Sequence, residues 1–294
     1  MNQLSIEKRA LMLRCFAECV GVRAVGRIAD VAYLSALNFN INLGRACEAF
    51  FAQTFKDLPI THLEMDETWC FVGTKDPKKI PDDKIGVWNA YMLLWLCVDP
   101  KTRLMPVWHL GGREYSDAST FMQRVKYVVR DSGERLQLAS DGNNLYAPAI
   151  AEMFGTDADY MRFVKVFHGQ EGAKEGERLP DYVRYSMPKL RASKRTVMSG
   201  NPDPDMSTNH IERCNLSLRM RCKRYSRLTN HFSRKIENHR LTIAMQMMLY
   251  NFCTVHGAIR CTPAMEAGIT DHIWTPEEVV ALMDVYQQPE QSAA

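Results

Sequence analysis

A chain of 294 residues, 46% hydrophobic and 24% charged, has apolar material for one good-sized core with small appended domains, which excludes a disordered or fibrous protein. The formal charge of +3 is too small as an average to name a partner, and the longest apolar run, 90–98, is too short to span a bilayer. The beginning of the chain lacks a basic segment followed by an apolar one, so the expected location is the cytoplasm.

The first 55 residues read as small helices. Ile6, Leu11, Leu13, Cys15, Phe16 and Cys19 recur at loosely helical spacing over 5–20. The stretch 22–37 reads as two short helices broken near Ala29-Asp30-Val31, and 43–55 as a further helix. Such a set builds a helix-turn-helix module, and equally a plain helical lid or dimerisation element.

Pro59 marks a change to period-two texture. Leu63, Met65, Trp69 and Phe71 alternate as in a strand, and a polar loop follows through Lys75 to Lys79. Two further strands, 87–98 and 104–110, flank Asp99-Pro100-Lys101-Thr102-Arg103, which has hairpin turn chemistry. Ser116-Asp117 then reads as the cap of an amphipathic helix stopped by Gly133. A strand over 136–139 ends at Ser140-Asp141-Gly142, a helix spans 145–154, and an apolar run covers 163–167.

Three meandering strands, then helix, strand, helix and strand, is the element order of a ribonuclease-H-like α/β fold with a mixed sheet flanked by helices. The segment 168–206, rich in Gly, Pro and charge, reads as a long loop with at most a short hairpin. A helix from about 207, another over 233–256 and a last one over 276–286 complete a helical C-terminal region. The expected division is a small all-α helix-turn-helix-like domain over 1–58, a catalytic domain over 59–256 and a helical tail over 257–294.

Charge and cysteine are unevenly informative. Between Ser207 and Arg240 lie nine Lys or Arg against two acids, Glu212 and Glu237, which is the electrostatic footprint of a polyanion-binding face or of a well-solvated helix. Nine cysteines, an odd number without a Cys-x-x-Cys pair, argue against a disulfide framework and a structural zinc site.

Three acids stand out. Asp66 interrupts a strand otherwise destined for the core, and Asp141 ends another strand before a glycine, positions that are costly for a carboxylate without a partner or cation. Glu212 lies early on the basic helix. Oxygen-only ligands select Mg²⁺ or Mn²⁺, and two such ions roughly 3.5–4 Å apart serve phosphodiester chemistry. Asn215, Arg219 and Lys223 follow Glu212 by three, seven and eleven positions, which places them on its helix face. Each acid has a plain alternative: an edge acid at Asp66, a turn at Asp141-Gly142-Asn143, and an Asn209-x-x-Glu212 capping box.

Taken together, MDETWCFVG (65–73), ASDG (139–142), SGNPDPD (199–205), HIERCNLSLRMRCKRYSRLTNHFSRKIENH (210–239) and YNFCTVHGAIRCTPAMEAGITD (250–271) resemble the transposases of bacterial insertion sequences of the insertion-sequence-one type, the branch with a DDE active site. The resemblance implies a ribonuclease-H-like core with catalytic and metal-ligating Asp66, Asp141 and Glu212. It also implies two Mg²⁺ or Mn²⁺ ions, and an N-terminal helix-turn-helix for the element's terminal repeats. Asp30 stands where that turn usually has Gly, and the expected reading helix, 33–38, has no Lys or Arg.

The implied activity is nicking at the element's ends followed by attack of the freed 3′-hydroxyl on target DNA, within a homodimer or larger assembly at the bacterial nucleoid. Arg213, Asn215, Arg219, Lys223, Arg224 and Arg227 are the expected DNA contacts, Arg219 and Lys223 foremost. The competing expectations are a ribonuclease-H-like nuclease or integrase without transposition, and a domesticated DNA-binding protein without activity.

Overall fold

The computed structural model of the chain describes residues 4–167, 190–225 and 230–286. A six-stranded mixed sheet runs in the order β3-β2-β1-β4-β5-β6, built from β1 (His62–Val72), β2 (Asn89–Val98), β3 (Trp108–Gly111), β4 (Leu136–Ser140), β5 (Ala158–Phe167) and β6 (Leu190–Ser199). The first three strands form an antiparallel meander, β4 pairs parallel with β1 and β5 parallel with β4, and β6 returns antiparallel to β5. The protein is therefore α/β, with helices on the faces of the sheet.

Strand alternation decides which helix meets which face. Trp95 of β2 pairs with Glu67 of β1 and packs edge-on against Tyr146, with Phe121 alongside, so α4 (Tyr115–Val128) and α5 (Tyr146–Phe154) cover that face. The opposite face of β1, through Glu64, Asp66 and Thr68, meets the helix α6 (Asn209–Arg221).

The terminal helices pack onto this body. α1 (Ile6–Ala17) is entered through Ser5, whose hydroxyl accepts from the Lys8 amide; α2 (Val22–Ile28) and α3 (Tyr33–Thr54) follow. After α6 come α7 (Ile236–Met248), a π turn over Leu249–Cys253, the short α8 (Pro263–Glu266) and α9 (Pro276–Val285), which is entered through Thr275 as N-cap with Pro276 in its first turn and carries a full Thr275/Glu278 capping box.

The buried core runs without a break from Met12 to Met283, across the divisions expected at 58/59 and 256/257. Phe50 and Phe51 of α3, Phe252 of the π turn and Trp274 ahead of α9 form one aromatic cluster. Ion pairs Arg9–Asp284 and Arg14–Glu277 tie α1 to α9. Among the described residues no helix is long and apolar enough to cross a membrane, and all nine cysteines are free.

Several elements differ from their sequence expectation. The separate helices expected around 32–37 and 43–55 are one helix, α3, because the weak helix formers between them are compensated by packing. Asn40 is buried, accepts from the Thr242 hydroxyl at 2.8 Å and donates to the Met245 sulfur, and Gly44 lets α7 approach until a Cβ there would lie 2.4 Å from the Leu241 carbonyl.

β3 shrinks to four residues, since Pro106 has no N–H for a ladder. Asp117 does not cap α4: its carboxylate accepts instead from the Gly112 amide and bonds His109 Nε2. β6 lies inside the expected loop 168–206, most of the remainder of which falls outside the described residues. The helix expected to carry both Glu212 and Lys223 stops at Arg221, and Lys223 sits in a separate 3₁₀ turn, Lys223–Tyr225.

Candidate metal centre

β1 presents Glu64, Asp66 and Thr68 in alternation toward α6, and each is bonded to it. Glu64, fully buried, accepts from the Ser207 hydroxyl at 3.0 Å, the His210 amide at 2.8 Å and the Ile211 amide at 3.1 Å, and bonds His210 Nδ1 at 2.6 Å. One strand carboxylate thus satisfies free N–H groups at the start of α6, where the helix dipole favours negative charge. Two residues on, Asp66 Oδ2 accepts from the Asn215 amide at 2.7 Å, while Asn215 Oδ1 accepts from the Thr68 hydroxyl at 2.5 Å.

The parallel pairing of β1 and β4 supplies the second acid. Met65 stands opposite Ser140, so the next residues, Asp66 and Asp141, emerge side by side where β4 ends. Past that end Glu67 also reaches the site from the other face of β1. Asp66, Glu67 and Asp141 each offer an oxygen, and these oxygens lie within 4.8 Å of one another. Asn143 donates its side-chain amide to Glu67 at 3.0 Å and its backbone amide to Asp141 at 3.1 Å, and Tyr146 lies buried beside Glu67.

Crowded, half-buried carboxyls resist ionisation. Burial, and then the Asp141 charge, raises Asp66 well above the ordinary carboxylate range, and burial raises Asp141. Burial, and then Asp141, pushes Glu67 up to about 8. The set is oxygen-only and short of positive charge, so it fits a hard divalent cation such as Mg²⁺ or Mn²⁺.

Of the three acids expected from sequence, Asp66 and Asp141 come together. Glu212 stays outside the close group: it is exposed, accepts from the Thr208 hydroxyl at 3.1 Å, and remains near enough for its charge to raise Asp66 and Asp141. The capping box at Asn209 does not form, because the N-cap is Thr208.

The expected DNA contacts separate. Asn215 is buried against Asp66 and belongs to the carboxylate cluster rather than to a DNA-facing surface. Arg224 is half-buried, donating to the Ser233 hydroxyl and, at 2.9 Å, to the Asn238 carbonyl, a bracing role within the fold. Arg213 and Lys223 are exposed, Arg219 is half-exposed, and Arg227 lies outside the described residues.

Sequence reasoning missed Glu64, Glu67, Asn143 and Arg113, the last of which lowers Asp141 through its charge. Its one available signal was the polar alternation Glu64-x-Asp66-x-Thr68. No protein-family model matches the chain and no curated protein matches it.

Proposed function

We propose that this protein is a DDE-type DNA transposase with a ribonuclease-H-like catalytic core, cutting and joining DNA strands with the help of Mg²⁺ or Mn²⁺. The observation that carries the reading is the adjacency of Asp66 and Asp141 on parallel neighbours inside the order β3-β2-β1-β4-β5, with a third and fourth carboxylate nearby. The resemblance of the sequence blocks to insertion-sequence transposases supplies the substrate class, DNA.

Asp66 and Asp141 would hold the cations, with Glu67 beside them and Glu212 reaching in from α6. The ions would supply charge neutralisation at the scissile phosphate and activation of the attacking oxygen. The chain's own residues arrange the rest. Asn215 and the Glu67 backbone amide fix the two oxygens of Asp66, and Asn143 fixes Glu67 and Asp141. Arg113, next to Asp141, and Arg219, one helical turn beyond Asn215 on α6, are placed to hold phosphates around the centre. Two element ends have to be held together for transfer, so the working form is a homodimer or larger assembly on DNA.

The test is strand cleavage with Mg²⁺ or Mn²⁺ on DNA from the flanks of the gene. Asp66→Asn and Asp141→Asn are expected to abolish cutting while retaining DNA. Wild-type protein that binds without cutting points to a DNA-binding protein, and cutting without strand transfer points to a nuclease.

A further inference from the structure

On the flank of α6 turned away from the carboxylates, the fold encloses a second, oppositely charged site. His210, Arg213, Ser217 and Arg221 recur three and four residues apart and line a recess of about 440 Å³, while Glu212 and Arg219 point to the other side of the helix. Arg103 and His256 close the recess from the β2–β3 turn and the segment after the π turn. Among the described residues no carboxylate lines it.

Arg103 is the unusual member. Its backbone is left-handed, at φ 64°, held by a turn in which Asp99 accepts from the Lys101 and Thr102 amides and the Thr102 hydroxyl. The Tyr250 hydroxyl donates to its carbonyl at 3.1 Å. Fixed in this way, the guanidinium buries its Nε and Nη1, neither of which has a hydrogen-bond partner among the described residues. A guanidinium does not shed its proton, so these donors call for an acceptor.

The His256 Nε2 is buried in the same recess and has no hydrogen-bond partner among the described residues, its ring edge-on to Tyr250. Among the described residues Arg221 bonds Thr254 through one nitrogen, and Glu64, whose charge reaches Arg103, has its oxygens committed to Ser207, His210 and Ile211.

We propose that this recess is a phosphate-binding pocket, and that the phosphate it takes belongs to a polynucleotide backbone running along the flank of α6 opposite the carboxylates. Two guanidiniums with free donors suit a tetrahedral dianion or diester, which offers several acceptor oxygens at once. The source of the phosphate rests on the nucleic-acid reading above; the chemistry of the pocket does not.

Full-length protein in EDTA, at constant ionic strength, is melted with increasing inorganic phosphate and, separately, chloride or acetate. Phosphate alone is expected to raise the midpoint saturably. Arg103→Gln is expected to abolish that rise without lowering the midpoint in chloride, and Arg221→Gln, exposed and at the helix end, to weaken phosphate at least tenfold, which keeps the test open should the first variant not fold.

Binding of a labelled DNA duplex in EDTA then assigns the source: for the Arg103→Gln/Arg221→Gln protein the slope of log affinity against log salt is expected to fall by about one. A rise equal in chloride or acetate, or intact in the variants, overturns the pocket. An unchanged slope overturns its nucleic-acid occupant. EDTA prevents cutting throughout, so these outcomes are independent of whether the carboxylates catalyse strand cleavage.

Discussion

Asn143 and Asn215 are both buried, and each presents an amide to a carboxyl group of the cluster. Asn215→Ala is expected to lower metal-dependent cleavage about 10–100-fold, the usual cost of losing a group that orients a metal ligand; single-turnover rates within twofold of wild type would remove it from the site.

The carboxyls themselves predict a pH signature. In the metal-free protein Asp66, Asp141 and Glu67 hold their protons more tightly than in the unfolded chain, so the folded state binds more protons between the ordinary carboxylate range and about 8. The contribution of these three acids to stability is therefore greatest at low pH within that window and falls as pH rises through it, opposite in sign to that of the buried histidines such as His239, whose pKa burial lowers. Asp66→Asn is expected to raise the melting midpoint in EDTA more at pH 8 than at pH 5; a difference from wild type that does not grow between pH 5 and pH 8 would contradict the assignment.

Asp66 and Asp141 were legible because an acid inside an apolar strand needs a reason. Glu67 was not, since strand alternation sends neighbours to opposite faces and only the early end of β4 lets both reach one place.

At the scale of elements, β1 and α6 form the functional unit, joined at Glu64. Glu64→Gln, which cannot serve all of the donors that converge on it, is expected to cost about 2–3 kcal/mol in denaturant unfolding. The helix contact between α3 and α7 predicts a separate loss: Gly44→Ala has no room beside Leu241 and is expected to destabilise by about 1–3 kcal/mol. An unchanged unfolding midpoint in either variant would show that the contact is dispensable.

Elements with a local signature, such as α9 with Thr275-Pro276 at its start and β1 with its alternating apolar face, could be read directly. β6 could not, because Arg195, Thr196 and Val197 carry no apolar period and the strand exists through its pairing with β5. Nor could the continuity of α3, which depends on Thr242 and Met245 some 200 positions further along.

For the whole molecule, the unbroken core predicts one cooperative unfolding event. Calorimetry is expected to show a single transition with matching calorimetric and van't Hoff enthalpies, whereas an early separate transition for the first 58 residues would mean that they fold independently. The same integration bears on how ions load. Because Glu64 anchors the start of α6 to the very strand that carries Asp66, the helix has no freedom to swing toward or away from the acids. Glu212 can approach only by rotating about its own side-chain bonds, a picosecond-to-nanosecond motion for an exposed residue. Capture of a divalent ion is thus expected to run at the speed of encounter, with no millisecond gating phase in stopped-flow traces.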